Sequence, residues 1–296
     1  MVNLKVGSTV SLCVDPLISE ILRTVRYFAF FEHPLTEEEV QRYLRIKADV
    51  TELRKALQEA VAEGRLFFSH DYYAAAPAHI DKRRRSPEVN RKLLRAARRM
   101  GRLMRFFPFV RGAYISGSLS KGDAKPGDDI DFFIITAPKR LWTAKLFLIL
   151  FKKVFLLNSH RYFCINFLKS EDDLTIAKRN IYTATEAVSL IPVYNPALLT
   201  TFFRANSWVG GYFPNFRPPA CSAEHRRFFP ADALLGGRLG QWLEAKAFQK
   251  FRNHTESVRS RKESGDFTAS PTTSAFFPNS PERRILAHYQ SEKGAP

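Results

Sequence analysis

The sequence predicts an α+β protein, in which a small mixed β-sheet with flanking helices lies between a helical N-terminal unit and a helical C-terminal lobe. Three observations lead to this fold class. Apolar residues recur at helical spacing over residues 16–63, short apolar runs bounded by polar turns occupy residues 110–168, and helical spacing returns after residue 180. With 296 residues and 45% hydrophobic side chains, the chain can form two modest domains or one large one.

The first predicted unit covers residues 16–75. Three helices and a hairpin are expected in order, near residues 17–30, 36–44, 51–63 and 66–74. Thr36 and Glu39 form a capping box that begins the second helix, and Gly64 ends the third.

Three helices followed by a hairpin resemble a winged-helix domain, in which the third helix commonly contacts DNA. The solvent face of that helix would carry Arg54 and Lys55 but also Glu52, Glu59 and Glu63. Phosphate contacts require a clearly positive surface, so this mixed charge favours packing or partner docking over DNA binding.

Residues 76–105 are predicted to form a linker, 76–85, and a basic helix, 86–105. Ser86–Pro87–Glu88 is typical of a helix N-terminus. The helix carries seven basic side chains, namely Arg91, Lys92, Arg95, Arg98, Arg99, Arg102 and Arg105. Two interpretations stay open: a solvated face, or a positive surface beside the active site that attracts nucleotide or nucleic acid.

The central unit, residues 106–178, is predicted to contain the sheet, with helices on one of its faces. Three strands are expected at Val110–Ser116, Ile130–Thr136 and Tyr162–Leu168.

The apolar segment 139–157 is predicted to be a helix that connects the last two of these strands. Three lysines interrupt it, and it is shorter than the roughly twenty apolar residues of a membrane-spanning helix, so we expect no transmembrane segment. We expect it to be buried against the sheet. A helix that lies on a membrane surface is the weaker alternative, because its polar face is narrow.

The C-terminal part is predicted to contain a helical lobe, residues 179–254, followed by a loose linker and a short helix within 255–296. Helical patterns cover residues 181–190, 196–209 and 234–254. Residues 255–280 are rich in Ser, Thr and charged side chains without periodicity, which favours a linker, and residues 281–290 form the last helix.

The most informative motif is Gly117–Ser118, followed ten residues later by Asp129–Ile130–Asp131. Side chains alternate along a strand, so we expect both carboxylates on the same side. Mg²⁺ prefers hard oxygen ligands and commonly takes one or two carboxylates plus substrate phosphates, and Mn²⁺ is the alternative ion. The Gly-Ser turn adds a backbone that can approach a phosphate and a hydroxyl that can bond to it.

This pattern resembles the nucleotidyltransferase superfamily that includes DNA polymerase β and the minimal nucleotidyltransferases. Lys121–Gly122 stands where many members have Arg-Gly. Four segments together are similar to a bacterial group of nucleotidyltransferase domain-containing proteins with a winged-helix-like N-terminal region: ISGSLSKG, DDIDFFIIT, IYTATEAVSLIPVYN and FFRANSWVGGYFPN.

The resemblance implies an enzyme that moves a nucleoside monophosphate from a nucleoside triphosphate, such as ATP, to a hydroxyl acceptor with release of pyrophosphate. Gly117, Ser118 and Lys121 would bind the triphosphate. Asp129 and Asp131 would bind Mg²⁺ and serve as the catalytic pair. The acceptor is not identified by these residues.

The superfamily pattern also implies a third carboxylate on the following strand, where this chain has Asn166. An amide oxygen can bind a metal but cannot act as a general base, so Asn166 is a candidate ligand only. Asp172 and Asp173 are more typical of a turn. The alternative is therefore a catalytically weakened nucleotide-binding protein that acts as a winged-helix regulator or binds nucleic acid. A metal-dependent glycosyltransferase is disfavoured by the Gly-Ser spacing.

Charge and cysteine content suggest partners and compartment. The formal net charge of +17 favours contact with nucleic acid, nucleotide phosphates or an anionic membrane surface. Cys13, Cys164 and Cys221 form no metal-ligand pattern and no convincing disulfide framework, so a reducing cytoplasm is expected. The first residues lack the pattern of a secretory signal.

Overall fold

The computed structural model describes residues 15–84, 87–157, 159, 162–219, 232–233, 235–261, 265–277 and 280–293. Three helices and a hairpin begin the described chain: α1 (Pro16–Ala29), α2 (Glu37–Tyr43), α3 (Val50–Ala62), β1 (Phe67–Ser69) and β2 (Tyr72–Ala74). The predicted capping box is confirmed, since Glu39 N donates to Thr36 Oγ1 at 3.2 Å and Thr36 N donates to Glu39 Oε2 at 2.9 Å. Gly64 ends α3 with φ +71°.

A helix, α4 (Pro77–Arg84), occupies the region predicted as a linker, so that prediction is wrong. Tertiary contacts stabilise it: Arg83 is buried, pairs with Glu39 at 2.7 Å and lies 4.7 Å from the centre of the Tyr72 ring. Such contacts join distant positions and leave no local pattern. The basic helix follows as α5 (Pro87–Met104), while Ser86 lies outside the described residues.

A six-stranded mixed sheet with strand order β6-β3-β4-β5-β8-β7 forms the centre of the fold. Its strands are β3 (Val110–Ser116), β4 (Asp131–Thr136), β5 (Cys164–Ser170), β6 (Ile191–Tyr194), β7 (Asp266–Ala269) and β8 (Thr273–Phe277). β4 and β5 are parallel and are connected by α7 (Leu141–Phe155), while the other pairs are antiparallel. The three predicted strands and the connecting helix are confirmed within a few residues.

Three strands were not predicted. The loose linker expected over residues 255–280 is wrong for the described part, because β7 and β8 pair there and β8 extends the sheet at β5. Phe267 and Ala275 are buried in these strands, but the many Ser and Thr residues around them leave no clear apolar alternation in the sequence. The four residues of β6 were too few to distinguish from the helical patterns on either side.

The remaining helices are α6 (Gly117–Ser120), α8 (Ile181–Val188), α9 (Ala197–Ala205), α10 (Val209–Tyr212), α11 (Arg238–Arg259) and α12 (Glu282–Lys293). Within the described residues, no helix is both long and apolar enough to cross a membrane.

The sheet is covered by helices on both faces, which corrects the expectation of a single covered face. Phe132 and Ile134 of β4 pack in a core with α5, α7 and α11. Phe133 and Ile135 point the other way and share a core with the three N-terminal helices, α8 and α9. Asp131 has the parity of Phe133, so its side chain belongs to the face that the N-terminal helices cover.

Candidate active site

The Gly-Ser turn lies directly against the strand that carries Asp131. Ser116, the last residue of β3, pairs with Asp131 across the antiparallel ladder. Gly117 then adopts φ +70°, and a Cβ at this position would lie 2.6 Å from Asp131 Oδ2. The backbone conformation favours glycine, and any larger residue would have to displace the Asp131 carboxylate.

The loop after this turn is held by its own polar groups. Ser118 Oγ donates to Asp128 Oδ2 at 3.0 Å, and Lys125 N donates to the same oxygen at 2.9 Å. The Ser118 hydroxyl is therefore engaged within the loop and would exchange this bond on binding a phosphate.

Asn90, buried on α5, fixes the far side of the same loop. Its Nδ2 donates to Gly122 O at 2.7 Å, and its Oδ1 accepts from Ala124 N at 3.0 Å. The Asn90 side chain thus links the basic helix to this loop.

Asp131 is positioned from the neighbouring strand. Asn166 is the extra residue of a β-bulge in β5, between Ile165 and Phe167, and its Nδ2 donates to Asp131 Oδ1 at 2.7 Å. Cys164 Sγ in turn donates to Asn166 Oδ1 at 3.2 Å. Bulges of this kind re-aim side chains beside functional sites. The Asn166 amide therefore orients the Asp131 carboxylate through its nitrogen, while its oxygen accepts from Cys164 and is not directed at a metal beside Asp131.

The electrostatics of Asp131 are those of a crowded carboxylate. Burial, together with the negative charges of Asp129 and Glu186, raises the pKa of Asp131 to about 6. Burial and the negative charges of Asp131 and Asp129 raise the pKa of Cys164 to about 12, so the thiol stays protonated near neutral pH.

Asp129 lies in the loop just before β4 and is exposed. Its negative charge acts to raise the pKa of Asp131, Cys164 and Lys152. Asp131 lines the cavity described below, whereas Asp129 is not among its lining residues.

Lys121, the expected triphosphate contact, is held in an ion pair. Its Nζ lies 2.7 Å from Glu186 Oε1 on α8 and donates to Gly117 O at 3.2 Å. Glu186 was missed by the sequence analysis. The one available signal is that it is the single acid of the otherwise uncharged helix Ile181–Val188.

Asp172 and Asp173 lie in a turn after β5, as expected. Asp173 accepts hydrogen bonds from Thr175, Thr272 and Lys169 at 2.6, 2.7 and 3.2 Å. Partial burial raises the pKa of Asp173, but these hydrogen bonds outweigh it and lower the pKa to about 2. Its oxygens are engaged, which argues against Asp173 as a substitute for the third carboxylate.

A cavity of about 660 Å³ opens beside Gly117, Ser118 and Asp131. Aromatic rings from the N-terminal unit, the sheet and α9 line one part of it, namely Phe28, Phe31, Phe133, Phe167, Phe202 and Phe277. Polar side chains line the rest, including Lys121, Lys169, Asp173, Lys178, Glu186 and Glu282. A nucleotide has both an aromatic and an anionic part, and a cavity of this size and composition suits such a ligand.

The two aspartates fit a divalent cation by their chemistry. Two neighbouring carboxylates, one of them buried with a raised pKa, repel each other until a cation neutralises them. Among the described residues, no three His, Cys, Asp or Glu side chains group so as to hold a metal by themselves. Any ion here would therefore depend on the aspartate pair and on ligands from the substrate.

One comparison with known proteins identifies a domain. Residues 92–188 match the family model described as a nucleotidyltransferase domain. The match covers roughly a third of the chain, from within α5 to the end of α8, and supports the superfamily indicated by the motif. Neither curated proteins nor solved structures gave a match to this chain.

The match includes Gly117, Ser118, Asp129, Asp131 and Asn166. It also includes Glu186, whereas Asn90 and the cavity-lining segments at both ends of the chain lie outside it. Asp128 and Asn90 were not singled out from the sequence, because a loop aspartate and a helix asparagine carry no pattern that separates them from surface residues.

Proposed function

We propose that this protein is a metal-dependent nucleotidyltransferase, which transfers a nucleoside monophosphate from a nucleoside triphosphate to a hydroxyl acceptor with release of pyrophosphate. The observation that carries the proposal is the close approach of Gly117 to Asp131, where an added Cβ would lie 2.6 Å from Asp131 Oδ2. This supports a shared site, because a glycine turn can approach phosphate and a carboxylate can bind Mg²⁺.

Asp129 and Asp131 would hold Mg²⁺ or Mn²⁺. When bound, the ion supplies charge stabilisation at the α-phosphate and the leaving pyrophosphate. Asn166, oriented by Cys164, keeps Asp131 Oδ1 in place and is a positioning residue in this proposal.

The Gly117–Ser118 turn and Lys121 would bind the β- and γ-phosphates. Lys121 would leave Glu186 for the more highly charged triphosphate, and Ser118 would exchange Asp128 for a phosphate oxygen. Glu186, freed from its ion pair and facing the same cavity, is then available to accept the proton of the acceptor hydroxyl.

The second candidate is a nucleotide-binding protein without transfer activity. The observation that favours it is Asn166 at the position of the third carboxylate, with its amide turned to Asp131. In this candidate the winged-helix-like N-terminal unit would act as a regulator or a nucleic-acid-binding module.

A transfer assay separates the two candidates. The protein is incubated with Mg²⁺, each of the four α-labelled ribonucleoside triphosphates and an extract of small molecules and macromolecules as acceptor. We expect label in a new product with the wild type and at least ~10³-fold less with Asp131→Asn, because the interaction that stabilises the transition state is lost.

The matched control is Asp71→Asn, the same chemical change in the exposed turn of the N-terminal hairpin. This variant should label product like the wild type. Triphosphate binding without any labelled product would leave the second candidate, and equal labelling by Asp131→Asn would remove the site assignment.

A further inference from the structure

The helix α7 is buried at its beginning and exposed at its end. Its first eight residues provide all of its buried side chains, including Trp142 and Leu148. Its last turns expose large apolar side chains, with exposed fractions of 53% for Leu150, 57% for Val154 and 71% for Phe155. Leu157, just after the helix, is 89% exposed.

A second exposed apolar group continues this surface at the end of α5. Leu103 and Phe106 are exposed, and a chain of ring contacts leads from Phe107, next to Phe106, across to Phe155. The centroids of Phe107 and Phe151 are 5.1 Å apart, and those of Phe151 and Phe155 are also 5.1 Å apart. We call this surface the apolar patch, defined by Leu103, Phe106, Leu150, Val154, Phe155 and Leu157.

Several exposed cations lie on or next to the two helices that carry the apolar patch. Arg99, Arg102, Arg105 and Lys153 are exposed, and among the described residues none of them forms an ion pair with a carboxylate. The two sequence segments that form this surface contain no acid, because no Asp or Glu lies between Glu88 and Asp123 or between Asp131 and Glu171. Asp129, outside these segments, acts on the pKa of Lys152. A contiguous group of exposed apolar side chains next to several exposed cations is unusual for a surface that only faces water.

We propose that the apolar patch docks on an anionic lipid surface. Large aliphatic and aromatic side chains enter the acyl boundary, while arginine and lysine bind lipid phosphates, which is the division of roles found in interfacial segments. A nucleic acid would match the cations but not Leu150, Val154 and Leu157, which offer neither charge nor a ring for base stacking.

Vesicle binding tests this proposal with the full chain. Wild-type protein is mixed with vesicles of phosphatidylcholine alone or with added phosphatidylserine, and the bound fraction is measured by sedimentation. We expect binding to the anionic vesicles, weaker binding as salt rises, and little binding to neutral ones.

Two sets of variants separate the apolar and the charged contributions. Phe155→Ser with Leu157→Ser should lower the vesicle partition coefficient by at least ~10-fold, because two exposed apolar side chains no longer enter the lipid. Arg102→Glu with Arg105→Glu should lower it similarly on anionic vesicles. The matched control is Leu239→Ser with Trp242→Ser, which removes two exposed apolar side chains of α11 and should leave binding unchanged.

A direct probe of insertion does not depend on loss of binding. In Leu157→Trp, brominated lipids should quench the added tryptophan fluorescence more than that of the wild type. Three results would overturn the proposal. The protein does not bind anionic vesicles; it binds nucleic acid through Arg102 and Arg105 but does not bind vesicles; or it self-associates without binding lipid, and Phe155→Ser with Leu157→Ser abolishes the self-association.

Discussion

Gly117 lies so close to Asp131 that it leaves no room for a side chain. An added Cβ would lie 2.6 Å from Asp131 Oδ2, and φ +70° disfavours any other residue. Gly117→Ala should therefore displace the Asp131 carboxylate and lower nucleotide transfer by at least ~100-fold.

The control for this prediction lies in the same loop. Gly127 has φ +97°, but a Cβ there meets nothing within 4 Å, so Gly127→Ala adds backbone strain without touching the carboxylate. Parallel transfer assays compare the two variants. Equal losses would mean that loop strain, and not the contact with Asp131, determines activity.

Asn166 should matter less than the residue it orients. Asn166→Ala removes the 2.7 Å hydrogen bond to Asp131 Oδ1 and should lower transfer about 10- to 100-fold, as expected if Asp131 binds the metal as proposed. Asp129→Ala and Asp131→Ala remove the two proposed charged ligands and should each cost more. Steady-state rates of the three variants at saturating Mg²⁺ decide the order, and a loss with Asn166→Ala as large as with Asp131→Ala would show that Asn166 acts directly.

At the residue scale, the sequence predicted which residues lie close together. The motif indicated one turn and two strands, and the structure pairs Ser116 with Asp131 and brings Gly117 close to Asp131. The roles of Gly117, Ser118 and Asp131 stay predictions. Glu186 could not be found in this way, because its ion pair with Lys121 joins positions 65 residues apart. The direction of the Asn166 amide depends on a bulge in β5, which no pattern of residue types encodes.

At the scale of elements, α5 stabilises the loop after Gly117 through Asn90. Asn90→Ala removes the hydrogen bond donated to Gly122 O and the one accepted from Ala124 N. It leaves these two backbone groups buried or part-buried without their Asn90 partner. We expect a loss of about 1–3 kcal/mol in the free energy of unfolding and a higher KM for the triphosphate. Urea titration and initial rates measure both.

Asn253→Ala on α11 is the matched control, because Asn253 is exposed and bonds only to Gln249 among the described residues. It should change neither quantity. Unchanged KM in Asn90→Ala would show that the loop keeps its shape without this side chain.

Elements with strong local signals were predicted, and elements that depend on distant partners were not. The capping box of Thr36 and the apolar runs of β3 and β4 are local signals. By contrast, β7 and β8 are short and Ser- and Thr-rich, and become strands because β5 offers an edge to pair with. The helix α4 likewise depends on Arg83 reaching Glu39.

At the scale of the whole molecule, the cavity is built from segments far apart in sequence. Phe28 comes from the N-terminal unit, Asp131 from the central sheet and Glu282 from the last helix. The core that includes α1, α8 and Phe133 is continuous, so the cavity depends on all of them. The sequence could suggest the separate units but not the cavity they enclose. The boundaries 16–75, 76–105, 106–178, 179–254 and 255–296 stay predictions.

Lys145, a buried lysine of α7, should make the free energy of unfolding depend on pH. Lys145 Nζ donates to Ser274 Oγ at 2.7 Å and lies near the Trp142 and Phe251 rings. Burial, with the nearby positive charge of Lys152, lowers the pKa of Lys145 from 10.5 to about 8. The unfolded chain therefore binds more protons between these two values, and the free energy of unfolding should rise with pH across this window.

Lys145→Met should remove this cost. We expect the variant to be more stable than the wild type at pH ~7 by about 1 kcal/mol, since Ser274 Oγ loses its partner and offsets part of the gain. The advantage should shrink at pH ~10. Urea titrations of both proteins at the two pH values test this, with the exposed Lys250→Met as control. An advantage that does not change with pH would contradict the assignment to the lysine charge.

The proposed function depends above all on a shared site for a divalent cation and a triphosphate between Gly117 and Asp131. Calorimetric titration of the protein with a non-hydrolysable triphosphate, with Mg²⁺ and with a chelator, tests it without knowledge of the acceptor. We predict that Mg²⁺ tightens binding and that Asp131→Asn removes most of this gain, at least ~10-fold in Kd or about 1.4 kcal/mol. Triphosphate affinity that is the same with Mg²⁺, with chelator and in Asp131→Asn would contradict the proposal.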